Sequence, residues 1–164
     1  MATRIIVSNS TPLINFATIG ELDLLRKLFD QIFVPQAVWQ EVVIKGWRES
    51  ATLIKKTEWI SKKAITDHRL CDTLNKELDT VEAEAIVLAI ELNADLLLLD
   101  ESEARNFAEI QGLKDMGSIG CLTLAKSLGL IAKIKPLLDQ VIDKARFWVS
   151  KELYEFVLKD NQEP

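Results

Sequence analysis

The sequence predicts an α/β protein with three layers, α/β/α, around a central parallel sheet of four to five strands. Two observations lead to this class. Short apolar runs alternate along the chain with amphipathic helical segments, which is the pattern of strands joined by helical crossovers. In addition, residues 96–99 are four consecutive leucines, apolar toward both faces as a central parallel strand must be. Right-handed crossovers would bring the carboxyl ends of these strands to one edge.

The stretch 78–101 contains the helix and the strand around which the rest is organised. Asp79 or Thr80 can cap the helix, because either side chain offers an oxygen to the free N–H groups of the first turn. An apolar stripe at helical spacing follows, and then the leucine strand. Asp100 and Glu101 come directly after that strand, at the edge where open parallel sheets bind ligands.

A similar arrangement is predicted at the start of the chain. Residues 4–8 form a β-branched run that reads as a first buried strand, and Asn9 follows it. Pro12 suits the first turn of a helix, where its missing N–H costs nothing, and Gly20 ends that helix. Asn9 is therefore expected at the same sheet edge as Asp100.

The other elements follow from periodicity and from Gly and Pro punctuation. Further helices are predicted at residues 21–29, 36–46, 47–56, 102–110, 118–128 and 151–160, with one more beginning at Pro136. Further strands are predicted at residues 31–34, 57–60 and 112–116, with loop and helix at 66–78. Glu41 lies at the edge of the apolar stripe of the 36–46 helix, so a carboxylate is expected beside the core there.

Length and composition indicate a single domain over residues 1–164, with a C-terminal helical segment from about 135. No apolar run approaches the roughly 20 residues that span a bilayer, and the N-terminus lacks the features of a signal peptide. We therefore expect a cytoplasmic protein with no membrane partner, in which Cys71 and Cys121 are buried thiols. Disorder is expected only in the tail, residues 159–164.

The charge balance bears on possible partners. A net charge of −5 disfavours broad, non-specific nucleic-acid binding, which rests on many Lys and Arg contacts to phosphate. It does not exclude a nuclease, because a bound cation cancels the charge of the acids that hold it. His68 is the only histidine, so neither a His-rich metal site nor a His pair for metal-free ribonuclease chemistry is available.

Acids from separate parts of the chain are predicted to meet at the strand ends. They are Asp100, Glu41 and one or both of Glu82 and Glu84 at the start of the central helix. Clustered carboxylates raise the pKa of at least one member unless a cation compensates, and Mg²⁺ prefers such oxygen ligands. Glu82 and Glu84 point about 200° apart on a helix, so only one faces a given site, and spacing alone does not choose between them.

Four stretches, residues 5–25, 34–42, 78–105 and 117–131, resemble in order the motifs of the PIN-domain family, in particular its uncharacterised PIN-like branch. The resemblance implies an α/β/α ribonuclease that depends on Mg²⁺ or Mn²⁺, with single-stranded RNA as substrate. Many members are toxins of toxin–antitoxin pairs, which implies an antitoxin partner. It places Asn9 at the first acid, Glu41 at the second, Glu84 at the acid opening the central helix and Asp100 at the acid after the fourth strand, with Ser118 near a further acid or hydroxyl.

The chain departs from this pattern at Asn9, where many members carry Asp. An amide oxygen can coordinate Mg²⁺ but brings no charge, so metal affinity should fall. The first hypothesis is a metal-dependent endoribonuclease, and the second is a catalytically weakened PIN-like module that binds nucleic acid or protein. A phosphoacceptor receiver domain is disfavoured, because the first strand is not followed by paired acids.

Other polar residues have simpler interpretations. Asp115 is predicted as a solvated loop acid, and Arg105 as a surface partner of Glu101 or Glu109, with a phosphate contact as the alternative.

The tryptophans are predicted as core or interface anchors rather than base-stacking platforms. The apolar residues of the C-terminal segment are expected to pack on the domain or on a second subunit, which favours a homodimer; they are Phe147, Trp148, Leu153, Phe156 and Val157.

Overall fold

The computed structural model describes residues 4–44 and 48–164. The strands are β1 (Ile6–Ser8), β2 (Ile32–Val34), β3 (Ile60–Lys62), β4 (Leu96–Leu98) and β5 (Asp115–Met116). The helices are α1 (Ser10–Thr18), α2 (Leu22–Phe29), α3 (Gln36–Trp39), α4 (Arg48–Lys56), α5 (His68–Leu74), α6 (Thr80–Glu91), α7 (Ser102–Ile110), α8 (Ser118–Ser127), α9 (Lys135–Lys144) and α10 (Lys151–Asp160). In the described ranges, no helix is long and apolar enough to cross a membrane.

The strands form one parallel sheet in the order β3-β2-β1-β4-β5. The predicted three-layer α/β/α fold with a parallel sheet of four to five strands is confirmed. The order reverses between β1 and β4: the chain builds outward through β2 and β3 on one side, and through β4 and β5 on the other. Such a reversal separates the crossover connections and leaves a crevice at the carboxyl ends of the two central strands.

The leucine run shows why both faces of the sheet had to be apolar. Leu98 packs into a core formed with α1, α2 and α8, whereas Leu97 and Leu99 pack into a second core formed with α5, α6 and α7. Alternate side chains of a strand point to opposite faces, so each leucine has a helical layer to bury against. Cys71 and Cys121 are free, buried thiols, as predicted.

The two edge strands differ most from the predicted boundaries. The edge strand predicted at 57–60 is instead β3, because the Ile32 N–H bonds to the Trp59 carbonyl and the ladder pairs Ile32 with Ile60. The last strand is only Asp115–Met116 rather than 112–116. Both strands lie at sheet edges, where one partner strand alone fixes how far the pairing extends.

The helix predicted at 36–46 is wrong in its second half. After α3 the backbone widens into a π-helical segment, Gln40–Ile44, which contains Glu41. π-Helical turns are rare and are frequent at functional sites. The predicted helix end at Gly46 and the predicted start of the next helix at Trp47 lie outside the described residues.

The expectation of a disordered tail is also wrong. The Glu163 carboxylate accepts hydrogen bonds from the backbone N–H groups of Ile134, at 2.8 Å, and Lys135, at 3.0 Å, and pairs with the Lys126 ammonium at 2.7 Å. These contacts tie the end of the chain to the start of α9 and to α8. Burial by itself would raise the pKa of Glu163, but the two N–H donors and Lys126 outweigh it and lower the pKa.

We expect Glu163→Gln to lower the free energy of unfolding at pH 7, because the charged acceptor of three contacts is lost. A lowered pKa contributes stability that is present above the ordinary value of 4.5 and disappears as the pH falls through the folded-state value. The difference between wild type and variant should therefore narrow below pH 4.5 in urea denaturation. Glu155→Gln, on the exposed face of α10, is the matched control; a constant difference at all pH values would contradict this account.

Candidate functional site

The candidate site lies where the strand order reverses. Asn9 directly follows β1, and Asp100 follows β4 after Leu99. The Asn9 N–H donates to the Leu98 carbonyl at 2.9 Å, which holds the chain leaving β1 against β4. Two of the four residues chosen from the sequence therefore sit at the ends of neighbouring strands.

Asn9 carries an unusual polar atom. The residue is only 3% exposed, and its Oδ1 has no hydrogen-bond partner among the described residues. Asn9 begins α1, yet its side chain does not cap that helix, so the alternative that it bonds the following turn is wrong. An unsatisfied buried amide oxygen costs about 1–3 kcal/mol. Such an atom is a natural ligand for a group that the protein binds.

Asp100 is held in a fixed orientation by the start of α8. Its Oδ1 accepts from the Ser118 N–H at 2.6 Å, and its Oδ2 accepts from the Ser118 hydroxyl at 2.7 Å. The Ser118 Oγ in turn accepts from Asn15 Nδ2 at 3.0 Å. Burial raises the pKa of Asp100, while the two Ser118 donors and the Arg105 guanidinium oppose that rise. The prediction that at least one acid of a partly dry cluster has a raised pKa therefore agrees with Asp100, where burial is the largest cause and the charge of Glu101 a smaller one.

Gly117 makes this arrangement possible. A Cβ at residue 117 would lie 2.7 Å from Asp100 Oδ1, closer than side-chain atoms tolerate. Because that oxygen is already fixed by Ser118, it has little freedom to move away. Asp100 can therefore accept its two hydrogen bonds at the start of α8 only because residue 117 has no side chain.

Glu41 reaches the same region from the π-helical segment. Its Oε2 accepts from the Ser10 hydroxyl at 3.1 Å, and Ser10 is buried beside Asn9 at the start of α1. Helix α1 thus contacts two candidate acids, Glu41 through Ser10 and Asp100 through Asn15 and Ser118. This linkage could not be read from the sequence, because it depends on the widened turn around Glu41.

The two acids of the central helix face different neighbours. Glu84 Oε1 accepts from the Ala37 N–H at 3.1 Å, so it lies at the start of α3, just beyond β2. The Glu82 carboxyl lies instead near Asp79, Glu101 and Glu103. Burial first, and then these neighbouring acids, raise its pKa to about 8. Glu84 is the one joined to α3, which leads directly into the π-helical segment that carries Glu41.

The donor chemistry suits a hard cation, although the carboxylates do not form a closed cage. Within residues 4–44 and 48–164, no three Asp, Glu, His or Cys side chains are placed to hold one metal ion together. Mg²⁺ usually takes one or two carboxylates and completes its shell with water, so a closed cage is not required. The observation that fits such an ion is the Oδ1 of Asn9, which has no partner among the described residues and lies at the end of the strand next to β4, the strand that leads to Asp100.

Arg105 and Asp115 form an ion pair that sequence reasoning missed. The Arg105 Nε donates to Asp115 Oδ1, and the Asp115 side chain is 4% exposed. The predictions of a solvated Asp115 and of an Arg105 pair with Glu101 or Glu109 are therefore wrong. No sequence pattern indicated this ion pair, because β5 is only two residues long and its pairing with β4 depends on the tertiary fold. The pair places a guanidinium near Asp100.

A cleft of ≈ 790 Å³ opens at this edge of the sheet. Asp100 and Arg105 line it from the sheet side, and Arg146, Phe147 and Trp148 line it from the connection between α9 and α10. The cleft falls in the range of roughly 300–1,000 Å³ typical of ligand sites.

Comparison with known proteins gives one finding. A family model described as a PIN domain matches residues 5–163, nearly the whole chain, and that range includes all four candidate site residues. A search of the curated proteins found no matching sequence.

We expect Gly117→Ala to lower the free energy of unfolding by about 1–3 kcal/mol, the usual cost of overpacking, because the new methyl group meets Asp100. The control is the same substitution in an Asp100→Ala background, where the carboxylate that the methyl group would meet is gone and the loss should be smaller. Urea denaturation of both pairs measures the difference. An equal loss in the two backgrounds would show that Asp100 is not held as described.

Proposed function

Because this chain belongs to the PIN-domain family, we propose that it is a metal-dependent endoribonuclease that hydrolyses phosphodiester bonds of single-stranded RNA. The family has a nuclease-type fold, which makes a nucleic-acid substrate the natural expectation. The observation that carries the proposal is the buried Oδ1 of Asn9, which has no partner in the described part of the chain and lies at the end of the strand next to β4, the strand that leads to Asp100.

In this proposal Asn9 and Asp100 would contact Mg²⁺ or Mn²⁺ directly, and Glu41 and Glu84 would act through the waters that complete its shell. A bound divalent ion polarises a phosphoryl oxygen and lowers the pKa of a bound water. Neighbouring residues of the protein hold these side chains in position. Ser118 keeps both oxygens of Asp100 oriented, and Ser10, the residue after Asn9, donates to the Glu41 carboxylate. Arg105, anchored by Asp115, is placed to meet the negative charge of an RNA phosphate.

A second candidate function is supported by one specific observation. The residue after β1 is an amide, so the site has one charge fewer than a site with Asp at that position, and metal affinity falls accordingly. A PIN-domain protein of this kind acts by binding RNA or protein with little or no turnover. The role of toxin with an antitoxin partner belongs to the proposal through family resemblance alone, and a homodimeric state belongs to it through the apolar residues of the C-terminal segment.

The nuclease proposal predicts that single-stranded RNA is cleaved in Mg²⁺ or Mn²⁺ and that EDTA abolishes cleavage. Asp100→Asn should lower kcat at least about 100-fold, since even residues behind the metal ligands typically matter 10- to 100-fold. Asp72→Asn, an exposed aspartate on α5, is the control and should leave cleavage unchanged. Cleavage that survives EDTA, or that is unaffected in Asp100→Asn, would refute the proposal.

The variant Asn9→Asp distinguishes an active nuclease from the weakened-site alternative, because it restores the missing negative charge at residue 9. We expect tighter Mg²⁺ binding in calorimetric titration and faster RNA cleavage, because a carboxylate binds a hard cation more strongly than an amide does. Asn93→Asp makes the same change at the opposite edge of the sheet, before β4, and should alter neither quantity. Unchanged Mg²⁺ affinity in Asn9→Asp would show that residue 9 does not contact the metal.

A further inference from the structure

The connection between α9 and α10 presents an aromatic side chain to solvent beside the candidate site. Trp148 is 81% exposed, although tryptophan is among the side chains that gain most from burial. This exposure contradicts the prediction of a core anchor, whereas the other predicted role, an interface anchor, stays a prediction. Trp148 and Phe147 both line the cleft that contains Asp100.

The exposure of Trp148 is a property of an ordered connection. At one end, the Phe147 N–H bonds to the Val141 carbonyl at 3.3 Å and closes α9, with Arg146 in a left-handed conformation at φ 58°. At the other end, the Ser150 hydroxyl caps α10 by accepting from the Leu153 N–H at 3.1 Å. A connection fixed at both ends holds the indole at the mouth of the cleft.

The cleft is lined by three acids, Asp100, Glu101 and Asp115, and by two arginines, Arg105 and Arg146. Arg105 is engaged with Asp115, whereas the exposed guanidinium of Arg146 makes no ion pair or hydrogen bond with any residue that the structure describes. An uncommitted arginine next to an exposed indole offers one group for a phosphate and one flat face for a base. Single-stranded nucleic acids are commonly held in this way, by cationic grooves with aromatic platforms.

We propose that Trp148 stacks on one base of single-stranded RNA in the cleft beside Asp100, while Arg146 contacts a neighbouring phosphate. The proposal rests on the proposed nuclease function and names the part of the site that recognises substrate. Single-stranded RNA fits better than a duplex, because bases in a duplex are already stacked on each other and are not free to splay onto a side chain. RNA fits better than a protein partner because the indole shares its cleft with Asp100.

The test is fluorescence anisotropy of a labelled single-stranded RNA of about ten nucleotides, measured in EDTA so that no cleavage occurs. Trp148→Ala should weaken binding roughly 5- to 150-fold, the range expected for one lost stacking contact. Trp148→Phe should retain most of the affinity because the flat ring remains. Phe156→Ala is the matched control: Phe156 is also an exposed aromatic, 64%, but lies outside the lining of the cleft.

Unchanged affinity in Trp148→Ala would overturn the proposal. Loss of self-association in light scattering, with RNA affinity unchanged, would also overturn it and assign the indole to a protein contact. The failure of this subsite is distinguishable from failure of the nuclease function. If the wild-type protein binds RNA through Trp148 but does not cleave it in Mg²⁺ or Mn²⁺, the subsite is supported and the nuclease is refuted. If Trp148→Ala cleaves with an unchanged KM, the subsite is refuted and the nuclease stands.

Discussion

The bidentate contact between Asp100 and Ser118 is the constraint on which the site depends. A carboxylate at the end of a buried strand loses most of its hydration, and the two donors of Ser118 replace part of it. The same serine accepts from Asn15, so the contact joins β4, α8 and α1. Since the chain leaving β1 is itself bonded to β4 through the Asn9 N–H, the orientation of Asp100 and the position of Asn9 are fixed by one connected set of hydrogen bonds.

Several oxygen atoms at the site accept fewer hydrogen bonds from the described residues than they could. Among the residues that the structure describes, Glu41 and Glu84 each accept from one donor, which leaves other carboxylate oxygens available for water or for an ion. Asn9 Oδ1 has no donor among the described residues. Selection for stability alone would favour a hydrogen-bond partner within the chain for every buried polar atom. Oxygen atoms that remain available where the strand order reverses therefore fit a site that binds a ligand.

Much of the fold follows from the sequence because local patterns and tertiary environment agree. The leucines at 96–99 require helices on both faces, and the strand and helix signals around Asn9 and Asp100 are sufficient to place both residues at one edge. What the sequence does not contain is geometry that arises only on assembly. The π-helical turn that carries Glu41 and the Arg105 pair with a buried Asp115 depend on neighbours distant in the chain, as do the contacts that order Glu163.

The central claim is that a hard divalent cation binds at the reversal between β1 and β4. The most direct test is a crystal of the wild-type protein soaked in Mn²⁺ and read by anomalous scattering. The account predicts a peak within about 2.5 Å of Asn9 Oδ1 and of an Asp100 oxygen, the range of oxygen ligands to such ions. A well-ordered crystal with no anomalous peak there, or with its only Mn²⁺ elsewhere, would contradict it.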